Sequence, residues 1–199
     1  NLETLKNSPQ IEGFKARGIE VLFFTDTIDD FWLQNQSDYK GKKFKSVTKG
    51  GIDLDRFDKE KSEEKEDDTT ITADANLEKL VAAIKENLDE EVGEVRLTNR
   101  LTDSPVCLIA DDNEVDLRME RVLRIHQQYE APTKRILEIN DKHPLIKRLA
   151  GYADTDNAKD NMSDAAHLLM DQARIIQGEP VPDPASFARR MSKFMERGL

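Results

Sequence analysis

The chain has 199 residues, 37% of them hydrophobic, and its 40 acidic and 30 basic side chains give a formal net charge of −10. That charge argues against electrostatic binding to nucleic acid or anionic lipid, because phosphate contacts need clustered lysine and arginine. A single cysteine, Cys107, excludes an internal disulfide framework and is typical of a reducing compartment. The longest apolar run, Val21 to Phe24, is far shorter than the roughly 20 residues that span a bilayer. Because the chain begins at Asn1 and not at methionine, we expect a piece of a longer protein.

The first part of the chain, residues 1–52, is predicted to be a small βαβ piece. Residues 20–24 (EVLFF) are apolar at four consecutive positions, which is typical of a strand covered on both faces. A helix is predicted over residues 28–39, with Asp26 or Thr27 as its N-cap. Residues 44–48 (FKSVT) alternate as a second strand, so that strand, helix and strand follow within about thirty residues.

Half of the net negative charge, −5 of −10, lies in residues 53–68. These sixteen residues have nine acids, four bases and only two apolar side chains. Such a composition cannot bury enough apolar surface to offset the entropy of ordering the chain. We therefore predict a charged acidic linker between two domains, 1–52 and 69–199. The alternative is an acidic segment that binds a basic partner.

The second domain is predicted to be an α+β fold that opens with a helix capped by Asp74. The apolar stripe of that helix consists of Leu77, Leu80, Val81, Ile84 and Leu88. Two strands at 94–98 and 105–110 follow, joined by a turn at 101–104. A third strand is predicted at 135–140.

Three helices are predicted at the end of the chain. The first opens at Pro144, and the second covers about residues 157–177 and is closed by Gly178. The third starts at Asp183-Pro184, where an aspartate cap followed by proline is a strong start signal.

The last two helices are apolar over more than the stripe that a surface helix needs. A terminal helix of this kind must dock, or it exposes an interaction site. We expect two copies of the chain to join these helices in an intermolecular four-helix bundle. The alternative is that both helices pack on the sheet of their own domain. The predicted dimer-interface residues are Leu168, Leu169, Gln172, Ala173, Ile176, Phe187, Met191, Phe194 and Met195.

No catalytic or metal-binding group emerges from the sequence. His126, His143 and His167 lie on separate elements, without a cysteine or histidine at metal-ligand spacing. Cys107 lies in an apolar strand, where we expect a small buried hydrophobe and not a nucleophile.

Two aspartate pairs and one glycine pair are the other candidates for chemistry. The pairs at 29–30 and 111–112 could act as general acid and base, but both precede predicted helices, where carboxylates cap free N–H groups. Gly50-Gly51 lacks the frame of a phosphate-binding loop.

The helix predicted at about 111–128 is apolar on two sides, with Leu117 and Ile125 opposite the main stripe. The main stripe consists of Val115, Met119, Val122 and Leu123. An exposed stripe that contains methionine suits the binding of varied apolar segments; the alternative is that it faces the core. Phe31 and Trp32 point about 100° apart on their helix, so we expect one to face the core and the other solvent.

Several segments of the chain resemble one known family. They are GIEVLFFTDTIDDFW, GKKFKSVTKGG, RLTDSPVCLIA, MERVLRIHQQ, ILEIN followed by HPLIKRLA, and DPASFARRM. Together they are similar to the carboxy-terminal third of the ninety-kilodalton heat-shock chaperones, above all to bacterial members. The similarity runs in order over essentially the whole chain.

The resemblance implies that residues 1–52 end the middle domain of such a chaperone and that residues 69–199 are its dimerisation domain. It implies that the ATP site and the catalytic arginine lie upstream of this chain. The piece would then not be an enzyme and would need no cofactor, whereas the full-length protein would use ATP and Mg²⁺. The absence of the acidic MEEVD-type tail of cytosolic eukaryotic members favours a bacterial origin. The resemblance to bacterial members implies a cytoplasmic location.

The resemblance also implies contacts with unfolded or partly folded client proteins. By position, the client-binding residues are Asp30, Phe31, Trp32, Gln34, Val115, Met119, Val122 and Leu123. We therefore expect the dimerisation and client-binding portion of an ATP-dependent chaperone, whose partners are clients and a second copy of itself, without nucleic acid or membrane. One alternative is a purely structural dimerisation module. Another is an enzyme that uses Asp111 and Asp112 with His126 or His143.

Overall fold

The computed structural model of the chain describes residues 2–36, 38–57, 68–117, 119–121, 134–152 and 158–198. The helices are α1 (Leu2–Lys6), α2 (Glu12–Ala16), α3 (Thr27–Asn35), α4 (Asp68–Asn87), α5 (Pro144–Tyr152), α6 (Ala158–Ile176) and α7 (Pro184–Gly198). The strands are β1 (Asp38–Tyr39), β2 (Lys42–Lys43), β3 (Val92–Leu97), β4 (Val106–Ile109) and β5 (Arg135–Ile139). Two short 3₁₀ turns lie at Pro9–Ile11 and Asp55–Phe57. This is a mixed α/β protein with small sheets, and none of the helices described is long and apolar enough to cross a membrane.

The three predicted strands of the second domain are confirmed, but the connection between the first two is not a hairpin. The sheet order is β3-β5-β4, so that β5 lies between the strands predicted to be joined by a turn. β3 pairs with β5 in parallel, and β4 pairs with β5 antiparallel. The turn at 101–104 therefore crosses the end of the sheet instead of closing a two-stranded ribbon.

Strand β4 is buried at every position because both faces of the sheet are covered. Its side chains alternate between the faces, with Val106 and Leu108 in a large core cluster and Cys107 and Ile109 in a smaller one. The large cluster is completed by residues of α4, α5 and α6. The predicted stripe of α4 is confirmed, since Leu77, Leu80, Ile84 and Leu88 are all buried and Val81 packs against them.

The amino-terminal residues are held against the edge strand β4. The Gln10 side-chain amide donates to the Leu108 carbonyl at 2.9 Å, and the backbone N–H of Gly50 donates to the Ala110 carbonyl at 3.1 Å. The Gln177 amide donates to the same Leu108 oxygen at 2.7 Å. These bonds satisfy backbone groups that an edge strand would otherwise leave open to pairing with another chain.

The carboxylate of Glu12 fixes the loop that leads into β4. It accepts the backbone N–H groups of Thr102, Asp103 and Ser104 at 2.8, 2.9 and 3.1 Å, and the Ser104 hydroxyl as well. Burial by itself raises the pKa of Glu12, but these hydrogen bonds outweigh it, so that the pKa lies below its ordinary value.

The predicted βαβ piece does not form. Residues 20–24 and 44–48 are not strands in the structure, although the helix between them is present as α3. The strands beside it are instead β1 and β2, a two-residue antiparallel pair. The aromatic side chains of the two predicted strands do not lie in a sheet. Phe24 and Phe44 instead pack on each other and on Trp32 of α3.

The start of α4 also differs from the prediction. The helix begins at Asp68, six residues before the predicted cap Asp74. The predicted linker at 53–68 lies mostly outside the described residues, which omit 58–67. At its beginning, Leu54 is only 1% exposed, so this end of the segment is packed. The division of the chain into 1–52 and 69–199 stays a prediction.

The three final helices confirm the predicted start and stop signals. α5 begins at Pro144, and Gly178 follows α6 with a φ of 72°, a left-handed conformation that suits glycine. Asp183 accepts the Ser186 backbone N–H at 2.9 Å at the start of α7. Hydrogen bonds from Ser186 therefore lower the pKa of Asp183.

Close packing of α2 on the loop before β4 predicts a marked cost for one small substitution. A methyl group at Gly13 would lie 2.5 Å from the Arg100 carbonyl oxygen, whereas one at Gly151 would meet nothing within 4 Å. We expect Gly13→Ala to lower the free energy of unfolding by about 1–3 kcal/mol. The control Gly151→Ala is expected to be neutral or to raise it by up to about 1 kcal/mol. Urea denaturation of both variants measures the difference, and equal midpoints would contradict this packing.

Candidate functional site

The most exposed apolar surface near the amino terminus is formed on α3. Ile28, Phe31 and Trp32 are 69%, 50% and 46% exposed. Residues three and four apart lie on one side of a helix, so these three side chains share a face. Phe31 and Trp32 are thus both half-exposed, and the prediction that one of them faces the core is wrong.

The helix is fixed at its start by a capping box. Asp26 is the N-cap, and its backbone N–H donates to the Asp29 carboxylate at 2.9 Å. This satisfies donors that a helix start leaves open. The first aspartate pair therefore has the capping role that the sequence indicates, through Asp29.

Two phenylalanines hold Trp32 in place. The Trp32 ring lies 6.0 Å from Phe24 and 6.1 Å from Phe44, measured between ring centroids, and the two phenylalanine rings are 6.3 Å apart. Tilted and edge-on pairs at these distances are favourable. We call Phe24, Ile28, Phe31, Trp32 and Phe44 together the aromatic surface.

A lysine-rich hairpin adjoins the aromatic surface. Strands β1 and β2 are joined by the two-residue turn Lys40-Gly41, with φ values of 51° and 75°. Positive φ at both turn residues is the type I′ pattern that matches the twist of a hairpin. Phe44 directly follows the second strand, so the hairpin leads into the aromatic surface. The hairpin was missed because residues 44–48 were predicted to be the strand. The glycine in Lys40-Gly41-Lys42 is the signal that could have predicted the turn.

The second predicted client-binding region is only partly described. Val115 and Met119 are half-buried, and Leu117 on the opposite side is 4% exposed. The opposite side of this short helical segment therefore faces the core. Val122 and Leu123 lie outside the described residues, as do the side chains of Asp30 and Gln34.

The second aspartate pair does not cap the helix that follows it. Asp111 accepts the Asn113 backbone N–H at 2.9 Å, and Asp112 accepts that of Gly51 at 2.7 Å. Asp116, next to the helical segment, instead accepts hydroxyl groups of Ser46 and Thr48. Asp112 and Asp116 thus tie residues 46–51 to the segment that follows β4.

The structure brings together no catalytic group from the remaining candidates. Cys107 is buried, which raises the pKa of its thiol well above the ordinary value, with the nearby Glu138 carboxylate contributing. His143 accepts the Leu145 backbone N–H at 3.1 Å, and His167 contacts the Ser163 carbonyl at 2.8 Å. Within the described ranges, no cluster of three or more potential metal ligands is found. His126 lies outside those ranges.

The predicted interface residues differ in their burial. Leu169 and Ala173 are buried in the core of their own chain, so they cannot also contact a second copy. Phe194 is partly buried against the same core. Met191 and Met195 on α7 remain 40% and 61% exposed. The other members of the predicted set, Leu168, Gln172, Ile176 and Phe187, are half-buried.

A half-exposed aromatic surface on a charged chain is typical of a protein that binds apolar segments of other proteins. The comparisons with known proteins show that the chain belongs to the Hsp90 protein family, whose match covers residues 1–199. It is 46% identical over 199 residues to the chaperone protein HtpG of Paramagnetospirillum magneticum and 45% identical over 198 residues to that of Roseobacter denitrificans. These matches cover 100% and 98% of this chain but only 32% and 31% of the relatives. The chain thus spans about a third of their length.

The comparisons contradict three expectations drawn from the resemblance: a carboxy-terminal dimerisation and client-binding portion, the lack of an ATPase domain, and the lack of a cofactor. The match is assigned to the amino-terminal part of HtpG, about 31% of its length, which is described as the nucleotide-binding, Mg-dependent ATPase domain. The membership of a heat-shock chaperone family is confirmed.

The cavity beside the sheet does not fit the phosphates of ATP. A cavity of about 430 Å³ lies between residues 50–55 and strands β3 and β5. Its arginines, Arg96 and Arg100, bind the Glu138 carboxylate at 2.9 Å each. The Gly51 N–H is likewise engaged by a carboxylate. A triphosphate needs donors that are free to bind its oxygens. Both arginines of this cavity are already paired with Glu138, so they are not free to bind a triphosphate.

The packing around Trp32, the single tryptophan of the chain, predicts a fluorescence signature. Phe44→Ala removes one of the two rings on the indole, so we expect red-shifted emission, stronger quenching by acrylamide and a stability loss of about 1 kcal/mol. The control is Phe57→Ala, because the Phe57 ring lies beside Arg56, 4.6 Å from its guanidinium carbon. Emission that is the same in Phe44→Ala and the unmodified chain would contradict the ring contacts.

Proposed function

We propose that this chain takes part in the work of a chaperone by binding apolar segments of unfolded or partly folded client proteins at the aromatic surface. The observation that carries the proposal is the exposure of Phe31 and Trp32 on one side of α3, where Phe24 and Phe44 hold the indole in place. The chaperone names of the relatives support it. Those relatives are bacterial, and a cytoplasmic setting belongs to the same proposal.

The energetics suit weak and reversible binding. Burial of one side chain of leucine or phenylalanine size contributes about 1.5–3 kcal/mol, and ordering an extended client costs part of that. Two or three such contacts hold a client without trapping it. Asp30 and Gln34 on the same helix, and the stripe of Val115, Met119, Val122 and Leu123, remain proposed client contacts.

Phe31→Asp tests this function without removing a ring from the Trp32 packing. Placing a charge where an apolar client side chain would bind is expected to weaken binding about tenfold or more. The reason is that losing the burial of one such side chain costs at least about 1.5 kcal/mol of binding free energy. Fluorescence anisotropy of a labelled, permanently unfolded protein, such as reduced and carboxymethylated α-lactalbumin, measures the affinity.

The matched control is Leu145→Asp, which makes the same change at an apolar residue of α5 that is 40% exposed. It is expected to bind the unfolded protein as the unmodified chain does. If Phe31→Asp and Leu145→Asp bind equally well, the aromatic surface is not the client site.

We further propose that the protein forms a homodimer in which α6 and α7 of two copies make a four-helix bundle. α7 is anchored to its own chain on one side, where Phe194 meets the core and Arg190 bonds Asp164 at 3.5 Å. Met191 and Met195, four residues apart on another side, are left exposed. A self-complementary apolar face of this kind is suited to a symmetric dimer.

Met195→Asp is expected to disrupt that dimer. Each dimer would contain the new charge twice, so we expect the dissociation constant to rise at least tenfold. Light scattering over a range of concentrations measures the mass, with Glu196→Gln at the neighbouring exposed position as the control. An unmodified chain that is monomeric throughout, or an unchanged mass for Met195→Asp, would refute the bundle.

A further inference from the structure

Residues 38–45 carry a charge opposite to that of the chain as a whole. They include four lysines against one aspartate, a net of +3, whereas the whole chain has −10. All four lysines are exposed, and they are Lys40, Lys42, Lys43 and Lys45. In the part of the chain that the structure describes, none of their ammonium groups forms an ion pair with a carboxylate. We call residues 38–45 the lysine hairpin.

The lysine hairpin lies at the rim of the aromatic surface. Lys43 and Lys45 are the chain neighbours of Phe44, so their Cα atoms are only about 3.8 Å from that of Phe44. The Phe44 ring is 6.1 Å from the Trp32 ring. A ligand that covers the aromatic surface therefore comes within reach of the lysine ammonium groups.

We propose that the aromatic surface and the lysine hairpin together bind client segments in which acidic residues directly adjoin aromatic or aliphatic ones. This inference rests on the proposed client-binding function and adds the class of client sequence. An extended segment advances about 3.3–3.6 Å per residue, and Lys43 and Lys45 adjoin Phe44, so the acidic residues must lie next to the apolar anchor in the client sequence.

Charge complementarity favours this class over basic segments. A chain with a net charge of −10 repels acidic polypeptides at long range and attracts basic ones without regard to position. The start of α3 carries Asp26, Asp29 and Asp30, whereas the lysine hairpin follows the end of that helix, so only this side of the aromatic surface is positive. Acidic segments are attracted to the hairpin side and basic ones are repelled there. The lysine hairpin thereby selects among apolar client segments by the charges that flank them, because the aromatic rings do not respond to those charges.

Three matched peptides test the inference on the 199-residue chain. They share one apolar core without tryptophan, and they carry flanking aspartates, serines or lysines. Trp32 emission reports binding. We expect the acidic peptide to bind about tenfold more tightly than the neutral one at low salt and the basic peptide to bind most weakly. The preference should largely disappear at about 1 M salt, where the Debye length is about 3 Å.

The variant Lys42→Gln/Lys43→Gln removes two of the four cations. It is expected to reduce the preference for the acidic peptide about threefold to tenfold and to leave the affinity for the neutral peptide unchanged. The control Lys147→Gln/Arg148→Gln removes two exposed cations from α5 and should keep the preference. Each double variant removes two positive charges, so a difference in peptide preference between them depends only on where those charges lie.

The outcomes separate this inference from the proposed function. Equal binding of acidic and neutral peptides, or an equal preference in both double variants, overturns the charge selection while client binding stands. If none of the peptides binds, both fail. If the acidic peptide binds equally well to Phe31→Asp, binding is purely electrostatic, and the joint site is refuted.

Discussion

A single buried carboxylate, that of Glu138 on β5, joins the sheet to the residues that cover it. It binds Arg100 and Arg96 at 2.9 Å each. Arg100 is only 2% exposed, and its guanidinium also donates a hydrogen bond to the Lys49 carbonyl at 3.0 Å. The Arg100 carbonyl in turn accepts the Gly13 N–H at 2.6 Å. Removing one partner of such a buried pair costs about 3–5 kcal/mol, because the other charge is left without compensation. The packing of the residues that cover this face of the sheet therefore depends on the Glu138 carboxylate.

The aromatic surface is built on that supported framework. Residues 46–51 are tied to the segment that follows β4 by Asp112 and Asp116, and Phe44 lies directly before them in the chain. One of the two rings that contact Trp32 therefore directly precedes a segment that these polar contacts hold in position. Support of this kind helps to keep apolar side chains at the surface, which a surface for transient binding requires.

Different parts of the chain were predictable to different degrees. The starts of α5 and α7 and the end of α6 could be predicted, because Pro144, Asp183 and Gly178 act on their immediate neighbours in the chain. Residues 20–24 misled, since an apolar run reports burial on both sides but not whether the partner is a strand. Within the site, Phe31 and Trp32 were predicted, whereas Phe24 and Phe44 were assigned to strands and so missed as their support. Their contact joins residues 20 positions apart, which no local pattern encodes.

The sequence by itself determined the net charge, the lone buried cysteine, the helix boundaries near the end of the chain and the family, because these depend on composition, local capping or motif order. Only the tertiary structure decided that β5 lies between β3 and β4, that Leu169 and Ala173 face their own core, and that the lysine hairpin adjoins Trp32. Strand order and the choice of packing partner depend on contacts between residues far apart in the chain. Periodicity shows which side of an element is buried, but it does not show against what.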